Sequence, residues 1–276
     1  GSDTASATVT IDNLSPGNVT AATATPGNTQ VVLSWTNPVD ADLGSIIVLR
    51  RAGTAVADVP VEGTTYVVGN VIGASTVACV VTAPTATCTD TGLSNGTVYH
   101  YKIFAKDSNG NHATGVVPTG SPATPNLTTL SVGSVNPGNA SLAPGGAATM
   151  ADAFTFQTAN GTDSITAVTV TLAAGTSGGL SLVEITNDAG TVVYGSVANP
   201  ASDTPAIALT TNITATTTAT QYKIRVTPKS HAAMPVPAGS TYSVTARISA
   251  WTGTNSQTGS DTASATVTID NLSPGN

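Results

Sequence analysis

The stretch GSDTASATVTIDNLSPGN forms residues 1–18, and the same eighteen residues return as residues 259–276, so the offset is 258 positions. Small polar residues separate four apolar ones within it: Ala5, Ala7, Val9 and Ile11. A period of two is typical of a strand with one buried face, so the chain carries one strand twice. An internal repeat has to be considered before local structure. The simplest interpretation is one 258-residue period of a tandem array, cut at an arbitrary point.

One position in a β-sandwich cannot hold both copies of this strand. We expect the C-terminal copy, residues 259–276, to complete the domain that precedes it. The N-terminal copy, residues 1–18, then completes a neighbouring domain, which belongs either to the preceding repeat or to another subunit. Both alternatives make a second copy of the chain the partner. The inward-facing residues of the C-terminal copy are expected to be Ala263, Ala265, Val267 and Ile269.

The composition of the 276 residues favours many short strands joined by turns. Only 8% of the residues are charged and 4% are aromatic, whereas the chain contains 27 glycines and 16 prolines. Such a chain has few of the residues that form helices well. We predict an all-β protein with two tandem β-sandwich domains, at residues 18–125 and 126–276. Residues 1–17, which repeat as residues 259–275, form the strand and linker that complete a neighbouring domain.

Charge and hydropathy exclude two classes of partner. The formal net charge is −7, which is the wrong sign for a nucleic-acid-binding surface. No apolar run approaches the roughly 18 residues of a membrane span, so we expect no membrane insertion.

Four motifs follow one another in the first predicted domain. They are Leu33-Ser34-Trp35, the run from Asp42-Leu43-Gly44 to Arg50-Arg51, the run Asp90–Tyr99, and Ala105–Asn111. With these motifs, residues 18–125 resemble a fibronectin type III domain. The resemblance implies that Trp35 is the core tryptophan and that the Tyr99 hydroxyl ties a loop to its strand. It also implies a spacer or binding module without chemistry of its own.

Both cysteines, Cys79 and Cys88, lie in or beside a stretch, Thr64–Thr87, that departs from this resemblance. They are symmetric about Ala83-Pro84, so a hairpin that turns there would set them opposite each other. A disulfide is then feasible, and it would indicate an oxidising, extracellular setting. Two buried thiols are the alternative.

Residues 126–276 contain further alternating strands of the same kind, about seven in number. Such a pattern predicts an immunoglobulin-like sandwich whose last strand is the repeated one. This half has a general likeness to the repeat domains of bacterial surface proteins.

A calcium site is the one candidate for a cofactor. In a fibronectin-type sandwich, the loops after two of the strands could bring oxygen ligands together at one end. Those ligands would come from Asp40, Asp42, Asp107, Asn109 and Asn111. The alternative is that these Asp and Asn side chains cap their own turns.

No motif indicates an enzyme. The run Gly175–Gly179 matches the pattern of a nucleophile elbow, but no helix is predicted after it. We therefore expect a non-catalytic structural repeat unit of an extracellular or cell-surface fibre, stalk or adhesin, in a bacterium. The alternative is a carbohydrate-binding or spacer module of a secreted enzyme. A glycan partner would require exposed aromatic rings, and most aromatic residues fall on inward-facing positions.

Overall fold

The computed structural model of the protein describes residues 12–235 and 241–271. Every regular element in these ranges is a strand, apart from 3₁₀ turns at Ser177–Gly179 and His231–Ala233. The structure therefore confirms the predicted all-β class. The chain divides into two compact units, Gly1–Pro125 (unit 1) and Asn126–Asn276 (unit 2). Within the described ranges, no helix has the length and apolar character needed to cross a bilayer.

Unit 1 is a sandwich of two antiparallel sheets. One sheet has the strand order β1-β2-β6, and the other has the order β4-β5-β3-β7. Its described strands are β1 (Thr20–Gly27), β2 (Gln30–Thr36), β3 (Leu43–Ala52), β4 (Val71–Ile72), β5 (Ser75–Thr82), β6 (Thr87–Thr91) and β7 (Tyr99–Asp107).

The core between these sheets follows the period of two. Val31, Leu33 and Trp35 of β2 are buried, and the residues between them are more exposed. The Tyr99 hydroxyl accepts a hydrogen bond of 3.1 Å from the backbone N–H of Ser94, which ties the loop before β7 to that strand. Each fully buried aliphatic side chain contributes about 1.5–3 kcal/mol, so this layer supplies most of the stability of unit 1.

A second apolar layer covers the outer face of the β3–β7 sheet. Ile47, Leu49 and Phe104 point to that face and are buried together with Val77. Val56, Tyr66 and Ile72 from the long connection between β3 and β5 pack against them. Phe104 alternates along β7 with the inward-facing Ile103 and Ala105, and it is buried because this connection folds back over the sheet.

The disulfide joins Cys79 of β5 to Cys88 of β6, with their Cα atoms 6.5 Å apart. The expected hairpin is wrong: β5 pairs with β3 and β6 pairs with β2, so the two cysteines lie in different sheets. The connection between them carries the chain from one sheet to the other. The bond therefore links the two sheets across the sandwich.

Replacing both cysteines by Cys79→Ser and Cys88→Ser should destabilise unit 1. The closed loop is short, so the expected loss in the free energy of unfolding is about 2–3 kcal/mol. Urea unfolding with and without reductant measures this loss. The free energy of unfolding of the double variant should be the same with and without reductant. The unchanged chain should lose stability when reductant is added. Two thiols that react with a label in the unfolded, unreduced chain would contradict the disulfide.

Unit 2 contains twelve strands in its described residues, where the sequence predicted about seven. A six-stranded sheet has the order β13-β12-β15-β10-β8-β18, and two three-stranded sheets have the orders β14-β11-β17 and β16-β19-β9. The strands are β8 (Leu127–Val132), β9 (Ala140–Leu142), β10 (Thr149–Thr158), β11 (Asp163–Leu172), β12 (Leu180–Asn187), β13 (Val193–Ala198), β14 (Ala206–Ala215), β15 (Thr220–Pro228), β16 (Thr241–Val244), β17 (Ala246–Thr252), β18 (Ser256–Gly259) and β19 (Val267–Asp270).

Aromatic residues fill the centre of unit 2. Phe154 packs edge-on against Phe156, with ring centroids 5.6 Å apart, and is stacked with Tyr222 at 5.8 Å. Trp251 lies 5.5 Å from Phe156. Such pairs contribute about 0.5–1.5 kcal/mol each beyond the apolar area that they bury.

The C-terminal copy is built into unit 2. Its strand β19 lies between β16, to which it is antiparallel, and β9, to which it is parallel. Ala265, Val267 and Ile269 are buried, whereas Ala263 is exposed. The expectation for Ala263 was wrong: regular pairing begins only at Val267, and in the irregular stretch before it Ala265 is buried but Ala263 is exposed. The counterparts Ala5, Ala7, Val9 and Ile11 of the N-terminal copy lie outside the described residues.

Candidate functional site

The C-terminal copy is held in unit 2 by a buried carboxylate as well as by its apolar residues. Asp152 of β10 is fully buried. Its Oδ1 accepts hydrogen bonds from the backbone N–H of Ser264 at 2.9 Å and from the Ser264 hydroxyl at 2.6 Å. The Ser264 Oγ in turn accepts a hydrogen bond of 3.3 Å from the backbone N–H of Ala153. One serine of the repeated sequence is therefore bound at three points.

A second carboxyl group of the repeated sequence meets Asp152 inside the protein. Asp261 is buried, and its Oδ2 accepts a hydrogen bond of 2.7 Å from the backbone N–H of Ile248. The Oδ2 of Asp152 and the Oδ1 of Asp261 have no other partner. The two buried side chains interact electrostatically with each other. We call Asp152 and Asp261 the carboxyl pair.

Burial raises the pKa of Asp261 to about 8, and the hydrogen bond and charge of Asp152 add to the rise. Burial also raises the pKa of Asp152, although the hydrogen bonds from Ser264 oppose it. Asp163 shows the contrast. It is buried too, but hydrogen bonds from Thr128 and Thr254 outweigh burial and lower its pKa. Asp261 therefore keeps its proton to a higher pH than an ordinary aspartate does.

We call the place in unit 2 that holds residues 261–269 the docking groove. It is formed by β9, β16 and the buried Asp152. Sequence reasoning identified the apolar residues that enter it but missed Asp152, Asp261 and Ser264. A signal was present, because Asp152 interrupts the apolar run of β10 and Asp261 recurs as Asp3.

The carboxyl pair should make unit 2 less stable as the pH rises. Because the pKa of Asp261 is higher in the folded than in the unfolded protein, its stabilising contribution is full in acid and is lost as the pH rises through about 8. We expect the melting temperature of unit 2 to fall by roughly 5 °C between about pH 5 and about pH 9.

Asp261→Asn should remove this slope, because the amide donates to Asp152 without titrating. Calorimetry across the pH range measures it for both chains. Asp188→Asn is the matched control, since hydrogen bonds from Gln221 and Lys223 lower the pKa of Asp188 and its titration lies in acid. An unchanged slope in the Asp261→Asn chain would show that the pair does not hold the proton.

Three carboxylates of unit 1 lie close together at one end of the sandwich. One oxygen each of Asp12, Asp42 and Asp107 lies within 4.8 Å of the others. The Asn109 side-chain amide donates to the Asp12 carboxylate at 2.7 Å, and the Asn111 amide donates to Asp107 at 2.7 Å. Four of the five predicted calcium ligands therefore lie in or beside one cluster. Asp12 was not among the predicted ligands.

Turn capping accounts for part of this arrangement. Asp40 has a different partner from the other predicted ligands: its Oδ2 accepts a hydrogen bond of 2.9 Å from the backbone N–H of Gly17. The Oδ1 of Asp107 accepts from the backbone N–H groups of Asn109, Gly110 and Asn111. Burial opposes the ionisation of Asp107, but these hydrogen bonds outweigh it and hold its pKa below the ordinary value. Calcium binding by the remaining oxygens stays a prediction.

Calcium should raise the melting temperature of unit 1 if the cluster binds it, because a ligand that binds only the folded state stabilises that state. Chelator should reverse the rise. Asp12→Asn together with Asp42→Asn should abolish the response, and Asp188→Asn in unit 2 should leave it intact. An identical melting curve in calcium and in chelator would assign these carboxylates to turn capping alone.

The nucleophile-elbow pattern forms a 3₁₀ turn at Ser177–Gly179. The Asp203 carboxylate accepts hydrogen bonds from the backbone N–H groups of Gly175 at 2.6 Å and Ser177 at 2.9 Å, so it caps the loop. His112 is buried beside Glu62, and burial lowers its pKa. In the described ranges, no side-chain hydroxyl is hydrogen-bonded to a histidine.

No family model matches the chain, and no curated protein matches it. Among solved structures, the chain is similar to the fibronectin(III)-like modules of Clostridium thermocellum CbhA, with 12% identity, a TM-score of 0.28, and coverage of 96% of this chain and 95% of that chain. The FN1–FN3 domains of chicken CNTN1 match with 12% identity and a TM-score of 0.27, over 95% of this chain and 69% of that one.

The Clostridium perfringens spore cortex lytic enzyme SleM matches with 15% identity and a TM-score of 0.26. That match covers 38% of this chain, and the chain spans 28% of the length of SleM. Likenesses of this size identify neither a family nor an activity. The description of the protein therefore depends on its own strands and contacts.

Proposed function

We propose that the chain is a non-catalytic structural repeat unit of an extracellular fibre, stalk or adhesin, in a bacterium. Copies are joined by the segment that the chain carries twice, through tandem repetition or strand exchange. One observation carries the proposal: the front half of the repeated sequence is bound in unit 2, and the back half is bound in unit 1.

The front half enters the core of unit 2. Val267 and Ile269 have 0% exposure, and Ser264 and Asp261 are bound to the buried Asp152. A strand with neighbours on both sides is an interior part of its sheet. The sequence that completes unit 2 therefore also occurs at residues 1–18 of the same chain.

The back half is bonded to unit 1. Asp12 accepts a hydrogen bond from Asn109, and Gly17 donates one to Asp40. The Asn18 side chain accepts from the backbone N–H of Gly115 at 2.9 Å and donates to the Thr114 hydroxyl at 2.8 Å. In an array, one copy of the eighteen residues would complete unit 2 of one repeat and lead into unit 1 of the next.

Two features of the surface support self-association. Only 8% of the residues are charged, so faces that meet would bury few ions, each of which costs several kcal/mol. The connection over the outer face of unit 1 also exposes five large apolar side chains: Val59, Val61, Val67, Val68 and Val71. The disulfide supports an extracellular location, because such bonds persist in oxidising surroundings.

The alternative is a carbohydrate-binding or spacer module of a secreted enzyme. A sugar-binding platform usually presents aromatic rings to solvent. All 2 Trp, 6 Tyr and 3 Phe of the chain are buried or half-buried. The glycan-binding alternative is therefore weakened, whereas a spacer is compatible with the same fold.

Electron microscopy and denaturing gel electrophoresis of the native material test the proposal. We expect filaments or long stalks in the images. A single very large band on the gel indicates a covalent array, and a band near 27.1 kDa from filaments indicates separate subunits. Monodisperse particles that run near this mass would overturn the proposed function.

A further inference from the structure

The docking groove makes two kinds of contact with the C-terminal copy. The apolar contacts come from Ala265, Val267 and Ile269, which are buried at alternate positions. The polar contacts come from Ser264 and Asp261, which bind the buried Asp152. On both sides of β19 the backbone pairs with a neighbouring strand.

The N-terminal copy carries the same groups at the same spacing. Asp3 and Ser6 correspond to Asp261 and Ser264, and the apolar counterparts are Ala7, Val9 and Ile11. Every contact that the groove makes with a side chain of residues 261–269 is therefore available from residues 3–11. Only the connectivity of the chain distinguishes the two copies.

We propose that the docking groove of unit 2 accepts residues 3–11 of a second copy of this chain, in the register in which Ser6 bonds Asp152 as Ser264 does. This inference rests on the proposed function, because it names the segment and the groove through which copies join. In the isolated chain the C-terminal copy occupies the groove. Strand exchange therefore requires that this copy leave the groove or that its binding there be weakened.

The register follows from the residues that a slip would bring into the groove. A slip by two positions leaves a threonine in the place of Ser264, so Asp152 keeps a hydroxyl partner and does not by itself prevent the slip. A slip in one direction sets Asn13 in the place of the fully buried Ile269, and a slip in the other sets the smaller Val9 there. An unpaired buried amide and an unfilled core position are both costly, so the apolar residues favour one register.

Substitutions in the full chain can weaken one copy of the repeated segment and leave the other unaltered, so they test which copy occupies the groove. Val267→Asp places a carboxylate at a fully buried position and should displace the C-terminal copy while the N-terminal copy stays unaltered. We expect this chain to form oligomers whose mass by light scattering rises with concentration, to at least twice that of the monomer. The chain without substitutions, whose groove is filled by its own C-terminal copy, should give a lower mass at the same concentrations.

Two matched variants separate exchange from simple unfolding. Val9→Asp changes only the N-terminal copy and should leave a monomer of unchanged stability. Val9→Asp combined with Val267→Asp removes both donors, so this chain should stay monomeric although its groove is open. Equal masses for the Val267→Asp chain and the double variant would overturn the inference, whether both are monomeric or both aggregate.

Disulfide trapping identifies the contact itself. Thr268 pairs with Ser243 across β16, and Thr10 is the counterpart of Thr268. A chain with Val267→Asp, Ser243→Cys and Thr10→Cys should give a ladder of disulfide-linked chains on a non-reducing gel. Ser243→Cys with Thr268→Cys in an otherwise unaltered chain should link only within the chain. A bond within the chain in the first variant, or no bond, would overturn the inference.

Moving the donor cysteine by two positions tests the register. Thr8→Cys in place of Thr10→Cys reports a slipped register and should stay unlinked. If Thr8→Cys links as well as Thr10→Cys, the segment does not enter the groove in the register of the C-terminal copy. Native filaments of covalent arrays without any exchange would leave the proposed function standing and overturn only this inference.

Discussion

Unit 2 depends on the contact between the buried Asp152 and the segment that begins at Asp261. Because Asp152 lies in the core, its carboxylate must find donors there or remain an unpaired charge. Ser264 supplies two of those donors, and it belongs to the sequence that the chain carries twice. The apolar residues that follow then complete the core. A polar contact and an apolar one thus act on the same segment.

The two halves of the repeated sequence make different contacts. Its strand is an interior member of a sheet in unit 2, whereas its turn-rich end is bonded to the loops of unit 1. Asp270 ends β19, and its counterpart Asp12 lies in the carboxylate cluster of unit 1.

Much of the fold could be predicted from local pattern. The alternation in β2 and β7, and the motifs around Trp35 and Tyr99, led to a sandwich because a period of two reports which face of a strand is buried. The same rule does not account for the burial of Phe104 or for the exposure of Ala263. Phe104 is covered by a connection that has little periodicity of its own, and Ala263 precedes the point where pairing of β19 begins. Both departures arise from contacts between residues distant in sequence.

The sequence by itself determined that the chain is all-β, that one segment of eighteen residues occurs twice, and that Cys79 and Cys88 can approach each other. These properties depend on composition, identity and short spacing, which are visible without coordinates. Only the tertiary structure decided that the disulfide joins two sheets, that the Asp12 carboxylate meets Asp42 and Asp107, and that Asp152 and Asp261 interact inside unit 2. Each of these depends on which strands become neighbours. Strand neighbours are determined by the packing of the whole core, so no local stretch of sequence carries that information.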